Sequence, residues 1–289
     1  MKHHLAVAAT ILGKVKLPKI SNEVARLQEE SMKTDPDVNV ITDCINRNPR
    51  LFTKFLAIAS FISKKEVTSA RQAVDILGTK GIFTVFFSSA IEFSFQSDKE
   101  SEAIINHASH IAAAMSELSS RIQEVKESDA YLYGLLYNIG YIVLNLYNPT
   151  ASKSCYTTNL LTPSQSEAKE LDLFDTTSNY IGVYVAKKWR VKNSVYCGIL
   201  FQNKKIEKCP EGQHLAYELI NLLNVARMVV AETENKLYVT EEIRNAALES
   251  MKRLNLTNQD YIRAQKKVQQ LVKAMKAFPD NFMDEVAQA

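Results

Sequence analysis

The chain has 289 residues, of which 46% are hydrophobic and 23% charged, with a net charge of +3. That length allows one large domain or two smaller ones with a sizeable core, and the near-balanced charge demands no polyanionic partner. Only 8 glycines and 7 prolines occur; sandwiches and barrels need many turn residues, so long helices with short connections are expected.

The N-terminal stretch from Met1 to Leu12 imitates the apolar part of a signal peptide. Lys14 and Lys16 follow at once, and no small-residue cleavage site precedes the next helix, so a secretory leader is not expected. No apolar run reaches the ~18 residues of a membrane span. Cys44, Cys155, Cys197 and Cys209 are widely spaced and form no Cys-x-x-Cys pair. They read as reduced thiols of a cytoplasmic protein rather than zinc ligands.

In chain order, residues 5–12 predict a short helix broken at Leu17-Pro18. Ile20, Val24, Leu27 and Met32 outline a second, ending before Asp35-Pro36. Asp37 is the candidate N-cap of a helix from Val38 to Asn46, with Val40, Ile41, Cys44 and Ile45 inward. Asn48-Pro49 restarts the chain, and Leu51, Phe52, Phe55, Leu56, Ile58 and Ala59 form the next apolar face. Thr68 or Ser69 caps Ala70 to Leu77, which Gly78 ends. Ile82 to Phe95 is rich in β-branched and aromatic residues; its spacing fits a broadly buried helix better than a strand. Residues 99–126 read as one long helix, with Ile104, His107, Ala108, Ile111, Met115, Leu118 and Ile122 on one face.

The most informative stretch is Tyr131 to Tyr147. Leu132, Leu135, Leu136, Ile139, Ile142, Val143 and Leu146 make an apolar stripe, while Tyr137, Asn138, Tyr141 and Asn145 form a polar one. Gly134 and Gly140 each weaken a helix interior by about 1 kcal/mol relative to alanine, which suggests close approach of another element. The five tyrosines from Tyr131 to Tyr147 fit core residues or binding anchors alike. Residues 151–163 are the most polar connection. Glu167 to Phe174 reads as short and acidic. Thr176 or Thr177 caps a helix through Trp189, and Val191 to Phe201 is another. Residues 210–235 bury Leu215, Leu219, Leu222, Leu223 and Val229. Thr240 and Thr257 open the last two helices.

The segment Leu135-Leu136-Tyr137-Asn138-Ile139-Gly140 resembles the signature helix of the HD superfamily of metal-dependent phosphohydrolases, roughly Leu-Leu-His-Asp-Ile-Gly. The frame matches, but Tyr137 and Asn138 stand where His and Asp bind metal. A phenol of pKa about 10 is a poor ligand near neutrality, and Asn lacks the anionic oxygen that hard cations require. His107 matches the first histidine, with His110 one turn later as the other register.

The opening third is more narrowly similar to the HDOD domain, the HD-related output domain of bacterial signalling proteins. Leu17 to Val24, Asp35-Pro36, Ile45 to Pro49 and Ala70 to Gly78 carry that resemblance in order. Glu170, Gly182 and Trp189 match a further block, whose usual histidine falls at Ser178. The helix after 191 lacks a His-His pair, and Asn221 to Val230 has no late carboxylate. The resemblance covers about residues 15–275.

It implies an all-α, HD-like multi-helix bundle forming one HDOD-type unit: an N-terminal helical lobe over 15–95, then a core and C-terminal helices over 96–289. The implied function is non-catalytic. The chain is expected to be a cytoplasmic bacterial signal-transduction module without cofactor or metal, binding a protein partner or a small signal supplied from outside the chain. His107, His110, Tyr137, Asn138 and Ser178 mark a vestigial pocket. The alternative is a phosphohydrolase of nucleotides or cyclic dinucleotides with unusual metal ligands. A third reading takes Lys187-Lys188-Trp189-Arg190-Val191-Lys192 as a nucleic-acid patch; the plainer reading is a helix end, with cations at the negative pole and Trp189 in the core. Nucleic acid and membrane are not expected partners.

Overall fold

The computed structural model describes residues 2–17, 21–31, 33–47, 49–94, 99–204 and 212–277. Fifteen α-helices and no strand occur among them. The first five are α1 (Lys2–Lys14), α2 (Asn22–Ser31), α3 (Val38–Asn46), α4 (Pro49–Ser63) and α5 (Ala70–Ser94). Asp37 caps α3 as its sequence predicts, accepting from Asn39 N at 2.8 Å. Ser69 caps α5 by accepting from Gln72 N at 3.1 Å. Gly78 lies inside α5 with φ 68° and ψ 166°. Only glycine enters that region cheaply, so the helix breaks there and restarts. The strand alternative for 82–95 is thereby excluded up to Ser94. Ile20, Met32, Asn48, Phe95, Cys209 and the segment from Phe278 lie outside the described residues.

The middle of the chain forms α6 (Lys99–Ser119), α7 (Glu127–Leu136), α8 (Ile139–Tyr147), α9 (Pro149–Leu161), α10 (Pro163–Phe174), α11 (Ser178–Lys188) and α12 (Asn193–Phe201). Three expectations are corrected. The helix predicted over 99–126 stops at Ser119, where the Ser119 and Ser120 hydroxyls turn back onto the carbonyls of Ser116 and Glu117. The polar stretch 151–163 is mostly helix. Asn148 caps it, accepting from Ala151 N, and Pro149 supplies a first turn that needs no N–H. The central stretch is two helices, not one. Tyr137 and Asn138 form a turn, and the α8 ladder begins with a short bond from Tyr141 N to Asn138 O.

That break frees the Tyr137 carbonyl from helix pairing. It accepts instead from Gln202 Nε2 at 2.9 Å, docking the end of α12. The close approaches implied by the two glycines are present. A Cβ on Gly134 would lie 2.6 Å from the Ala112 backbone of α6, and one on Gly140 would lie 1.9 Å from the Ser178 carbonyl of α11.

The chain ends with α13 (His214–Glu234), α14 (Glu241–Arg253) and α15 (Asn258–Ala277). Thr240 and Thr257 cap the last two, accepting from Ile243 N and Asp260 N. Helices α13 and α15 pack on α6, α14 packs on α13, and α1 lies across α8 and α11. One continuous apolar cluster runs from Ala8 in α1 to Val268 in α15. No single helix among the described residues is long and apolar enough to cross a membrane.

Candidate functional site

The five residues marked by sequence separate into three arrangements. His107 and His110, one turn apart on α6, both face Glu234 at the end of α13. Glu234 Oε2 meets His107 Nδ1 at 2.7 Å, and Oε1 meets His110 Nδ1. Sequence reasoning looked for a late carboxylate over 221–230 and stopped one turn early; a carboxylate where α13 passes α6 was the signal available. Burial alone would push the Glu234 carboxyl up. Attraction from His107 and hydrogen bonds from both histidines instead bring it down to about 2. The His110 Nε2 atom is buried without a hydrogen-bond partner.

The sign of that depression gives a prediction. A carboxylate held below its ordinary 4.5 contributes stability above that pH and loses it as pH falls through about 2. Glu234→Gln is expected to cost about 2 kcal/mol at pH 7, allowing for partial solvent screening. Urea unfolding should show the gap from the parent protein narrowing as pH falls from 4.5 towards 2. A gap independent of pH would mean that the bridge carries no charge.

Tyr137 stands beside His107 and Arg227, around a cavity of only about 10 Å³, no more than about one water. Burial pushes its phenol far above the ordinary range, only partly offset by the Arg227 guanidinium 5.6 Å from the ring centre. Asn138 is buried, its Oδ1 accepting from Asn159 Nδ2 at 3.3 Å and its Nδ2 without a hydrogen-bond partner.

Ser178 belongs to a different knot. Glu170 of α10, fully buried, accepts the Tyr141 hydroxyl of α8, the Ser178 N–H at 2.6 Å and the Ser178 hydroxyl at 3.1 Å. Here a buried carboxylate caps the start of α11 and ties α8 and α10 to it. Gly182, one turn on, lets the Ile139 and Ile199 side chains close over α11.

As a donor set for a hydrolytic metal ion these positions do not fit. The phenol stays protonated, the amide is engaged elsewhere, Ser178 holds Glu170, and one carboxylate is shared between two imidazoles. Among the described residues, two other groups bring three potential ligand atoms within 4.8 Å: His3, His4 and Asp175, and Glu124, His214 and Glu218. Both consist of exposed or half-buried side chains. The first fastens the start of α1 to Asp175, whose backbone accepts from His4 Nδ1 at 2.8 Å.

The model of the HDOD domain matches residues 17–205. The chain belongs to the HDOD family. Among solved structures it is similar to a candidate phosphohydrolase from Shewanella amazonensis SB2B, with 18% identity, a TM-score of 0.62, and 92% of this chain aligned to 99% of that one. It is similar also to an HDOD domain protein of unknown function from Geobacter sulfurreducens, with 15% identity, a TM-score of 0.64, and coverage of 92% and 97%. A candidate signal transduction protein from Marinobacter aquaeolei VT8 shares 19% identity at a TM-score of 0.64, over 94% of this chain and 66% of its own. At these identities the likeness is one of fold. No curated protein matches the sequence. Helices α13 to α15 lie beyond the matched HDOD segment, so Glu234 is contributed from outside it.

In the cationic stretch 187–192 the four basic side chains are exposed and Trp189 is buried. Trp189 is buried edge-on to Phe87, Lys187 lies over the Tyr196 ring, and Lys192 Nζ is 2.7 Å from both oxygens of buried Asp129. Four of the five tyrosines between 131 and 147 are buried; Tyr147 is exposed.

Proposed function

We propose that this HDOD chain is a non-catalytic, cytoplasmic regulatory module of a bacterial signalling pathway, acting by binding a protein partner or a small signal. The observation that carries this reading is the state of the positions where the wider superfamily holds metal. Tyr137 is buried as a neutral phenol, Asn138 pairs with Asn159, and Ser178 serves the structural carboxylate of Glu170. A scaffold with those side chains retains shape and surfaces, while the positions Tyr137, Asn138 and Ser178 supply no anionic or imidazole donor.

One observation favours a second reading. His107, His110 and Glu234 meet at the crossing of α6 and α13, so a phosphohydrolase with unusual ligands would be built there. Metal content of protein purified without chelator, with turnover assays on nucleotides and cyclic dinucleotides, separates the two. The regulatory reading expects substoichiometric metal and no turnover. Stoichiometric metal with turnover abolished by His107→Ala would replace it by the second.

A further inference from the structure

A cleft of about 390 Å³ lies between the end of α12 and the crossing of α13 with α14, at the boundary between the family-matched segment and the C-terminal helices. Its size falls within the roughly 300–1,000 Å³ of small-molecule sites. Its walls are unusual in chemistry: Gln202, Asn203, Asn221, Asn224 and Asn245 supply five carboxamides. Lys204, Arg227 and Arg253 add three cations against the carboxylates of Glu242 and Glu249, and Glu242 is engaged with the Ser164 N–H at 2.8 Å and its hydroxyl at 3.0 Å.

One wall residue has an unmet requirement. Gln202 is 3% exposed, and its Nε2 donates both to Tyr137 O at 2.9 Å and to Asn179 Oδ1 at 2.7 Å. Those two bonds fix which way the amide faces, and Oε1 is left buried without a partner. Across the cleft, the Arg253 guanidinium lies 5.9 Å from the Tyr217 ring centre and donates to its hydroxyl at 2.7 Å. The same guanidinium lies 3.9 Å from the Glu249 carboxylate one turn away, so Tyr217 and Glu249 hold it at the cleft wall beside the amides.

We propose that this cleft binds a small planar molecule with an amide-type edge and one anionic group, the chemistry of a nucleoside monophosphate. The carboxamides read the paired donors and acceptors of a base edge, and the excess cation meets the phosphate. This makes the small signal of the regulatory reading specific and rests on that reading.

Calorimetric titration of the full chain with AMP, GMP, CMP and UMP tests it, with inorganic phosphate and the free nucleosides as separate arms. Phosphorus NMR of the same mixtures follows turnover. At least one monophosphate is expected to bind more tightly than phosphate or its own nucleoside, without being consumed. Arg253→Ala should weaken it by about tenfold, the scale of one charge-assisted contact. Asn245→Ala, at an exposed residue, should weaken it too and covers the case in which Arg253→Ala misfolds. Binding of none of the four, binding no tighter than phosphate, or affinity unmoved by both substitutions overturns the proposal and leaves the non-catalytic reading standing. Consumption of a bound nucleotide overturns the non-catalytic reading, and affinity lowered by the two substitutions then keeps the cleft as the binding site.

Discussion

Gly140→Ala is expected to prevent the folded protein from accumulating. The added methyl would sit 1.9 Å from the Ser178 carbonyl oxygen and within 3 Å of the Ser178 Cα and carbonyl carbon. All of these are backbone atoms at the N-terminus of α11, so no side chain can swing away. Relief requires α8 and α11 to separate, which would also strain the Glu170 knot that joins Tyr141 of α8 to Ser178 of α11. Overpacking of a core usually costs about 1–3 kcal/mol. An obstruction made of backbone, coupled to a buried hydrogen-bond knot, belongs with the exceptional losses of about 4 kcal/mol or more. Against a total stability of roughly 5–15 kcal/mol, most of the molecule's margin would go. Soluble yield, far-ultraviolet circular dichroism and the urea midpoint measure it. Gly13→Ala is the control: its Cβ meets nothing within 4 Å at an exposed position in the last turn of α1, so it should leave the midpoint unchanged or raise stability by at most about 0.5 kcal/mol. A Gly140→Ala protein with the parent midpoint would mean that α8 and α11 pack less closely than described.

Glu170 carries the second large effect. Glu170→Ala leaves the Ser178 N–H and the hydroxyls of Ser178 and Tyr141 in the core without their shared acceptor. At about 1–3 kcal/mol for each buried group left unsatisfied, the loss should exceed about 3 kcal/mol. The same carboxyl makes stability depend on pH with an unusual sign. Burial pushes it from 4.5 up to about 7, against the downward pull of Tyr141 and Ser178. Between those values the folded state holds a proton that the unfolded chain has released. Its contribution is therefore present below about pH 4.5 and lost as pH rises through about 7. The span corresponds to about 3 kcal/mol. Most buried carboxylates in ion pairs do the reverse, as Glu234 does here. Glu170→Gln keeps the shape and removes the ionisation, so its unfolding free energy should be flatter than the parent's from pH 5 to 8. An unchanged pH profile in the Glu170→Gln protein would mean that the carboxyl ionises freely in place.

The helical class was legible because helices are written locally. Asp37, Ser69, Thr177, Thr240 and Thr257 act as caps where the sequence places them, and Gly78 breaks α5 where the pattern stops. The division of 131–147 into two helices was not legible, since its apolar spacing runs through Tyr137 and Asn138 without interruption. The partners that go with the break are distant: Gln202 donates to the freed Tyr137 carbonyl, and Asn159 donates to the Asn138 side chain. Residues 151–163 misled in the other direction, because polar composition outweighed the cap and first-turn proline at Asn148-Pro149. At the candidate site, His107 was found by its register within a motif. Glu234 had no motif to announce it, since its meaning depends on which turn of α13 passes α6. The cleft was equally silent, because its amides come from the residues just after α12 and from α13 and α14, and no window of sequence holds them together.

Helix α13 has one further property. Arg227 reaches Asn203 at 3.0 Å at the cleft, and Glu234, two turns along the same rod, reaches His107 and His110. About 10 Å of rigid helix separates the two handholds. A sliding or rolling of that rod which reseats one grip must displace the other, so the amide-lined hollow and the paired imidazoles are geared together by a single shaft.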